Sequence, residues 1–324
     1  MTVHPVFALI LASLIQANDS ETSTLSAIAS PAPVASELKA SSSMRVGFTI
    51  EVEGYRSDLS VFSTSVMPGG DVHIKADANL ISETGDAREE NGMWTWTAPD
   101  TPGHHEIFLT RNDETIRLNV FVLTPFSNGQ MDSINGYRVG AYNPQPLRGL
   151  DNYLPPTGFI DMQPGMEDIQ IAPNFKLGQF ICKQQPGHDP TYLLVEPGML
   201  LKLQALLEAA NEKGWEADTF FIMSGFRTPF YNAAIGNTTT SSRHLFGDAS
   251  DIYIDHDRDG VMDDLNGDNK ITKADAVALA ELAREVAEAD KTNWPSGGIG
   301  IYDANAVHGP FVHIDARGYP ARWG

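Results

Sequence analysis

Apolar and polar residues alternate through residues 44–126. Val46, Phe48, Ile50 and Val52 are separated by small or polar residues, the period of two expected of a half-buried strand. Pro68-Gly69-Gly70 marks a turn, and Val72 and Ile74 resume the same spacing. Trp94-Thr95-Trp96 alternates too, Pro102-Gly103 turns the chain into Ile107 and Leu109, and Ile116, Leu118, Val120 and Val122 make a last strand. Short strands punctuated by turn signals, with no helical period, predict a small all-β sandwich. His104 and His105 fall beside a turn and read as exposed loop histidines rather than metal ligands. No catalytic constellation is visible here, so the region reads as a packing or docking module.

The pattern changes further along. Residues 127–173 are rich in Gly, Pro and Asn and read as an extended connector that wraps the next domain. Beyond Asn174, Leu200, Leu203, Leu207 and Ala210 share one helical face, and Gly214 closes that helix. Phe220–Met223 reads as a buried strand, a helix follows near Asn232, and an amphipathic helix from Ala274 to Ala289 carries Val277, Leu279, Leu282 and Val286 on its apolar side. Short strands at Gly298–Tyr302 and Phe311–Asp315 finish the chain. Interleaved helices and strands predict an α+β domain over 174–324, preceded by a sandwich of immunoglobulin-like type over 44–126.

The N-terminus reads differently again. Val6–Ala17 is an apolar run of signal-peptide length, too short to span a bilayer as a helix, with Ala17 as the expected cleavage point; a short buried helix is the alternative. Residues 18–43 are Ser, Ala, Thr and Pro with almost no large apolar side chain, so they read as a disordered linker. The expected location is therefore outside the cytoplasm, periplasmic or at the cell surface, with no membrane span. Asp and Glu outnumber Lys and Arg 42 to 22, for a formal charge of −20. That balance argues against a nucleic-acid partner, since phosphate binding requires a basic face. Cys182 is the single cysteine of the 324 residues, which excludes an internal disulfide or a Cys-rich zinc site.

Candidate chemistry sits in two segments, Ser242-Arg-His244-Leu-Phe-Gly247-Asp-Ala-Ser-Asp251-Ile and Phe311-Val-His313-Ile-Asp315. A catalytic zinc needs three convergent protein ligands and one open position. His244, Asp251 and His313 can supply two imidazoles and a carboxylate, leaving net positive charge on the metal. Alternation along the two strands sends Ile252 and Ile254 to one side and Asp251 to the other, and likewise separates His313 from Val312 and Ile314. If the apolar residues face the core, the ligands share a cleft.

These segments belong to an ordered series: Ser224-Gly-Phe-Arg227-Thr-Pro, Asn232, His244 to Asp251, Gly297-Gly-Ile-Gly-Ile-Tyr302, Phe311-Val-His313-Ile-Asp315 and Arg322-Trp323, led by Asn174-Phe175 to Cys182. The series resembles the zinc D-alanyl-D-alanine carboxypeptidase family, whose peptidases share the hedgehog-like fold, and covers about one domain. The resemblance implies one catalytic zinc on His244, Asp251 and His313 and a peptidoglycan stem peptide as substrate. It puts Arg227 at the position of a cleft arginine that holds a substrate carboxylate or steadies an oxyanion, a structural ion pair being the alternative. Ser242 would sit near the metal, as a substrate contact or a turn-forming hydroxyl. Many members carry an acidic residue three positions before the last zinc histidine, where this chain has Pro310. His308, five positions before His313, and Asp315, two after it, are the candidate replacements: His308 for proton transfer, Asp315 as a partner that orients a histidine.

A second constellation lies between the two zinc segments. Read from Asp264, the residues Asp264, Asn266, Asp268, Lys270 (through its carbonyl), Thr272 and Asp275 fall at positions one, three, five, seven, nine and twelve of an EF-hand-like loop, with Asn269 at position six. The loop resembles the dockerin variety, which uses Asp at twelve. Asp255, Asp257, Asp259 and Asp263 form an overlapping ladder. Carboxylates this close repel one another unless a cation or full solvation compensates, and the oxygen count over 255–275 suits one or two calcium ions. The leading expectation is thus a zinc peptidase of peptidoglycan peptides, as a D-Ala-D-Ala carboxypeptidase or a cross-link endopeptidase, with a wall or protein partner for the sandwich. A non-catalytic wall-binding protein and a calcium-dependent docking module are the alternatives.

Overall fold

The computed structural model describes residues 38–291 and 293–324. The expected signal segment 1–17 lies outside them, as does most of the expected linker. The linker's last residues are not free: the Ser41 amide donates to the Thr115 carbonyl at 2.9 Å, and the Thr115 amide donates to Ser41 Oγ at 2.8 Å.

Nine strands build the first half: β1 Arg45–Val52, β2 Tyr55–Leu59, β3 Val61–Val66, β4 Asp71–Ala76, β5 Asn79–Ser82, β6 Asp86–Glu90, β7 Met93–Thr97, β8 Gly103–Arg111 and β9 Glu114–Val122. They form two sheets, in the orders β2-β1-β4-β7-β6 and β3-β9-β8-β5. All pairs are antiparallel except β3 with β9. The alternation seen in the sequence buries Val46, Phe48, Ile50 and Val52 of β1, and these meet Ile107, Leu118 and Val120 of the other sheet in one core. His104 and His105 differ from expectation. They are strand residues of β8, because the turn ends at Gly103; His104 packs at a tilt against Phe121 and pairs with Asn119 Oδ1 at 2.9 Å.

Residues 127–173 do more than wrap. The short strands in and beside this segment are β10 Thr124–Pro125, β11 Ser133–Ile134, β12 Tyr137–Arg138, β13 Gly158–Met162, β14 Gln170–Ala172, β15 Phe175–Lys176 and β16 Thr191–Leu193. They form the sheet β10-β13-β16 and two small hairpins. Their Tyr137, Phe159 and Ile171 belong to the same apolar core as Leu203 and Ile314. The connector therefore helps build the second half.

The second half adds α1 Pro197–Glu212, β17 Phe221–Ser224, α2 Pro229–Ala234, β18 Ala249–Tyr253, α3 Lys273–Ala289, β19 Gly298–Tyr302, β20 Phe311–Asp315 and β21 Ala321–Trp323. Helix α1 starts on Pro197, which loses no hydrogen bond at a helix N-terminus, and buries Leu200, Leu203, Leu207 and Ala210. Gly214 ends it with φ +88°, a conformation that costs glycine little. Five strands form the sheet β17-β18-β20-β19-β21, antiparallel except for β19 with β21. One face, with Ile252, Val312 and Ile314, packs into the core with Leu203 of α1 and Leu279 of α3. The other face carries the chemistry. Among the described residues, no helix is long and apolar enough to cross a membrane.

Candidate metal centre

Strand pairing sets one row of residues across the functional face. Ser224 of β17 is opposite Asp251 of β18, Asp251 is opposite His313 of β20, His313 is opposite Gly300 of β19, and Gly300 is opposite Trp323 of β21. Side chains on one row of a sheet point to the same side. His244 comes from outside the sheet, on the short helical turn Arg243–Phe246 that Gly247 closes with φ +76°. Arg243 is buried in this turn and donates to Asp248 at 2.6 Å, which staples the turn to the start of β18.

Three ligating atoms meet above that row. His244 Nε2 lies 3.2 Å from His313 Nδ1 and 3.3 Å from Asp251 Oδ1, and His313 Nδ1 lies 2.8 Å from Asp251 Oδ1. All three residues are buried. Bonds of about 2.0–2.1 Å to a tetrahedral zinc hold its ligand atoms about 3.3 Å apart, close to this triangle. The remaining imidazole nitrogens are committed as donors: His244 Nδ1 to the Gly225 carbonyl at 2.7 Å, and His313 Nε2 to Asp315 Oδ2 at 3.0 Å. A neutral imidazole has one N–H, so the nitrogens left facing each other carry lone pairs. Two lone pairs and a carboxylate oxygen converge, and only positive charge at their centre compensates them. His313 expresses the same demand. Burial opposes its charged form, but the hydrogen bonds and charges of Asp251 and Asp315 outweigh burial and push its pKa up to about 9. Asp251 is likewise held well below the usual carboxylate range, since the two histidines outweigh its burial. His244 is pushed down by burial. The donor set fits a zinc ion.

Comparison with protein-family models, with curated proteins and with solved structures gives no match to this chain.

The centre opens into a cleft of about 600 Å³ that also exposes Arg227, Ser242, His308 and Trp323. A larger hollow of about 1010 Å³ runs along β17 and Lys183–Asp189 but contains none of the three ligand residues. Arg227 is committed: its Nε donates to Ser224 Oγ at 2.7 Å and its Nη2 to Asp251 Oδ2 at 2.5 Å, so it braces a ligand while lining the cleft. Ser242 precedes the His244 turn and lines the cleft, and its side chain makes no capping bond. His308 is partly buried, edge-on to Phe311; its Nδ1 donates to the Gly309 carbonyl at 2.8 Å and its Nε2 is 2.7 Å from Asn305 Nδ2. Asp315 is fully buried beneath His313 and carries no group toward the cleft.

Three residues to which the sequence assigned no role stand out here. Arg317 donates to Asp315 from its backbone amide, Nε and Nη2. Trp323 lies over Gly300, where a Cβ would stand 2.4 Å from the indole, and its ring is 5.2 Å from that of His313. Lys202, buried in α1, donates to the Asp315 carbonyl at 2.6 Å; burial pushes its pKa down to about 7. The available signal was an arginine two positions past Asp315, and a glycine–aromatic pair whose relation only strand register reveals.

The acidic segment divides in two. Asp255, Asp257 and Asp263 bring carboxylate oxygens within 4.8 Å of one another. In the second loop, Asp264 accepts the amides of Gly267, Asp268 and Asn269, while Asn266 accepts that of Asp268 and Asp268 that of Lys270. Asp259 accepts the Val261 amide. Thr272 and Asp275 form the capping box of α3, and the Asp275 carboxylate takes the amides of Leu265, Asn266 and Thr272. Asp275 thus fastens the loop to the helix with both of its oxygens engaged.

Proposed function

We propose that the chain is a zinc peptidase acting on peptidoglycan stem peptides, exported, and working as a D-alanyl-D-alanine carboxypeptidase or a cross-link endopeptidase. The observation that carries this reading is the convergence of His244 Nε2, Asp251 Oδ1 and His313 Nδ1 in an open cleft, each imidazole's other nitrogen being tied to an acceptor. Zinc held by these atoms supplies Lewis acidity that polarises a peptide carbonyl and makes water nucleophilic at neutral pH. The remaining roles fall to the chain. Arg227 keeps Asp251 aimed through its bond to Oδ2, and its cleft-facing edge can receive an anionic substrate oxygen. His308, with its backbone-anchored Nδ1, moves a proton at Nε2. Asp315 orients His313 from below.

The test is metal analysis of the purified protein together with mass spectrometry of digested muropeptides. One zinc per chain is expected, lost in His244→Ala, Asp251→Ala and His313→Ala. His308→Ala should retain zinc and lose about 10²–10⁴ in turnover. A wild-type protein that binds zinc but leaves muropeptides intact would favour the second reading, a non-catalytic wall-binding protein; buried Pro310, at the position of the resembling family's acid, supports it. We also propose calcium, one or two ions, for residues 255–275, supported by the gathered carboxylates of Asp255, Asp257 and Asp263.

A further inference from the structure

We propose that Arg317 is a positioning residue for the metal centre: by clamping Asp315 it fixes the ring orientation and tautomer of His313, and so sets the affinity for zinc. The proposal rests on the reading of His244, Asp251 and His313 as zinc ligands.

The Asp315 carboxylate is fully buried at the end of β20. Its Oδ2 accepts His313 Nε2 at 3.0 Å, and its Oδ1 accepts the Gly298 amide at 2.8 Å and the Arg317 amide at 3.1 Å. The Arg317 Nε reaches both oxygens, at 2.8 and 3.0 Å, and Nη2 closes on Oδ2. A carboxylate offers about four lone-pair directions, so this set leaves it no freedom to turn. The neutral donors alone do not have this effect. Without the guanidinium, two backbone amides on Oδ1 would be the carboxylate's only other partners, Oδ2 would be free to swing, and His313 would lose the fixed acceptor at Nε2 that keeps Nδ1 turned toward the metal.

Two further contacts confine Arg317 itself. Its guanidinium lies 5.0 Å from the Trp323 ring and 5.8 Å from the Tyr319 ring, and Trp323 in turn packs on His313. Lys202 holds the Asp315 carbonyl from the opposite side at 2.6 Å, so the main chain keeps its place when the side chain is altered. Removal of Arg317 should therefore disturb the carboxylate and the imidazole rather than the strand.

The experiment measures zinc affinity by competition with a chromophoric chelator, the His313 tautomer by ¹⁵N chemical shift, and KM and kcat on muropeptides at saturating zinc. Arg317→Met should weaken zinc binding about 10- to 100-fold, the usual effect of losing such an outer partner. Arg317→Lys should fall between it and wild type, since one ammonium cannot reproduce the fork. In a double-mutant cycle, adding Arg317→Lys to Asp315→Asn should cost little beyond Asp315→Asn alone. Zinc affinity unchanged in both Arg317 variants, with KM raised instead, would overturn the proposal and make Arg317 a substrate contact. Additive losses in the cycle would overturn it too. Should Arg317→Met fail to fold, Arg317→Lys and the cycle decide. Failure of wild-type protein to bind one zinc would instead sink the underlying reading, and that measurement is made first.

Discussion

Glu196 shows how a single residue ties this fold to pH. It precedes α1, faces the cavity beneath Tyr55 and lies near Asp248, and burial followed by the Asp248 charge pushes its pKa up to about 7 against an ordinary 4.5, with Arg243 opposing. Between those two values the unfolded chain has released the proton and the folded one has kept it. Stability therefore falls as pH rises from 4.5 to 7, and the whole penalty, no more than about 3 kcal/mol, is present above 7. Glu196→Gln removes it. The variant should melt several degrees above wild type at pH 8 and match it at pH 4.5; calorimetry giving equal differences at both pH values would contradict this. The meeting of Asp251 and His313 on one face, by contrast, was legible in the sequence, because alternation on two strands put both opposite their apolar neighbours. Arg317 and Lys202 were not. Their importance comes from a carboxylate and a carbonyl they reach in space, and no spacing rule announces such contacts.

The elements around the acidic segment were legible in type and bounds, since Thr272 and Asp275 are a capping signal for α3. What the sequence could not show is that Asp275 gives one oxygen to amides of the loop's first residues, Leu265 and Asn266, and the other to that of Thr272, so it fastens helix to loop. The calcium proposed for this segment should add to that fastening. With zinc saturating, a calcium-selective chelator is expected to lower the melting temperature by several degrees and to slow hydrolysis. Identical melting and rates with and without the chelator would discard calcium binding at this segment. The glycines of β19 carry a similar lesson. Gly300 was legible only as part of a short strand, whereas its missing side chain is what lets Trp323 lie against His313.

At the scale of the molecule, the two halves are joined by direct bonds, some of them buried, and not merely by a linker. Arg45 of β1 pairs with Glu208 of α1 at 2.9 Å. Ser63 Oγ donates to the Ile171 carbonyl at 2.9 Å, fully buried Asn119 donates to the Gln170 carbonyl at 2.9 Å, and Leu201 of α1 packs on the sandwich core. The sandwich thus belongs to one body with the half that carries the candidate metal centre, and the described residues fall within a single compact unit. A chain reduced to residues 127–324 should lose cooperative unfolding, because it exposes Leu201 and leaves the Gln170 and Ile171 carbonyls without donors. A fragment melting as sharply and as high as the full chain would show the sandwich to be dispensable. The sequence suggested a separable module, since the two halves differ in period; only the contacts between them reveal the joint.

Asp251 and His313 are 62 positions apart in the chain yet face each other on adjacent strands. Their meeting depends on ladder register and not on the length of what lies between. A longer or shorter acidic loop between Tyr253 and α3 therefore alters an excursion beyond the sheet and not the register of the pair, while a one-residue slip of β20 would turn His313 into the core. The acidic loop occupies that interval, so its length is uncoupled from the ladder that aligns the pair.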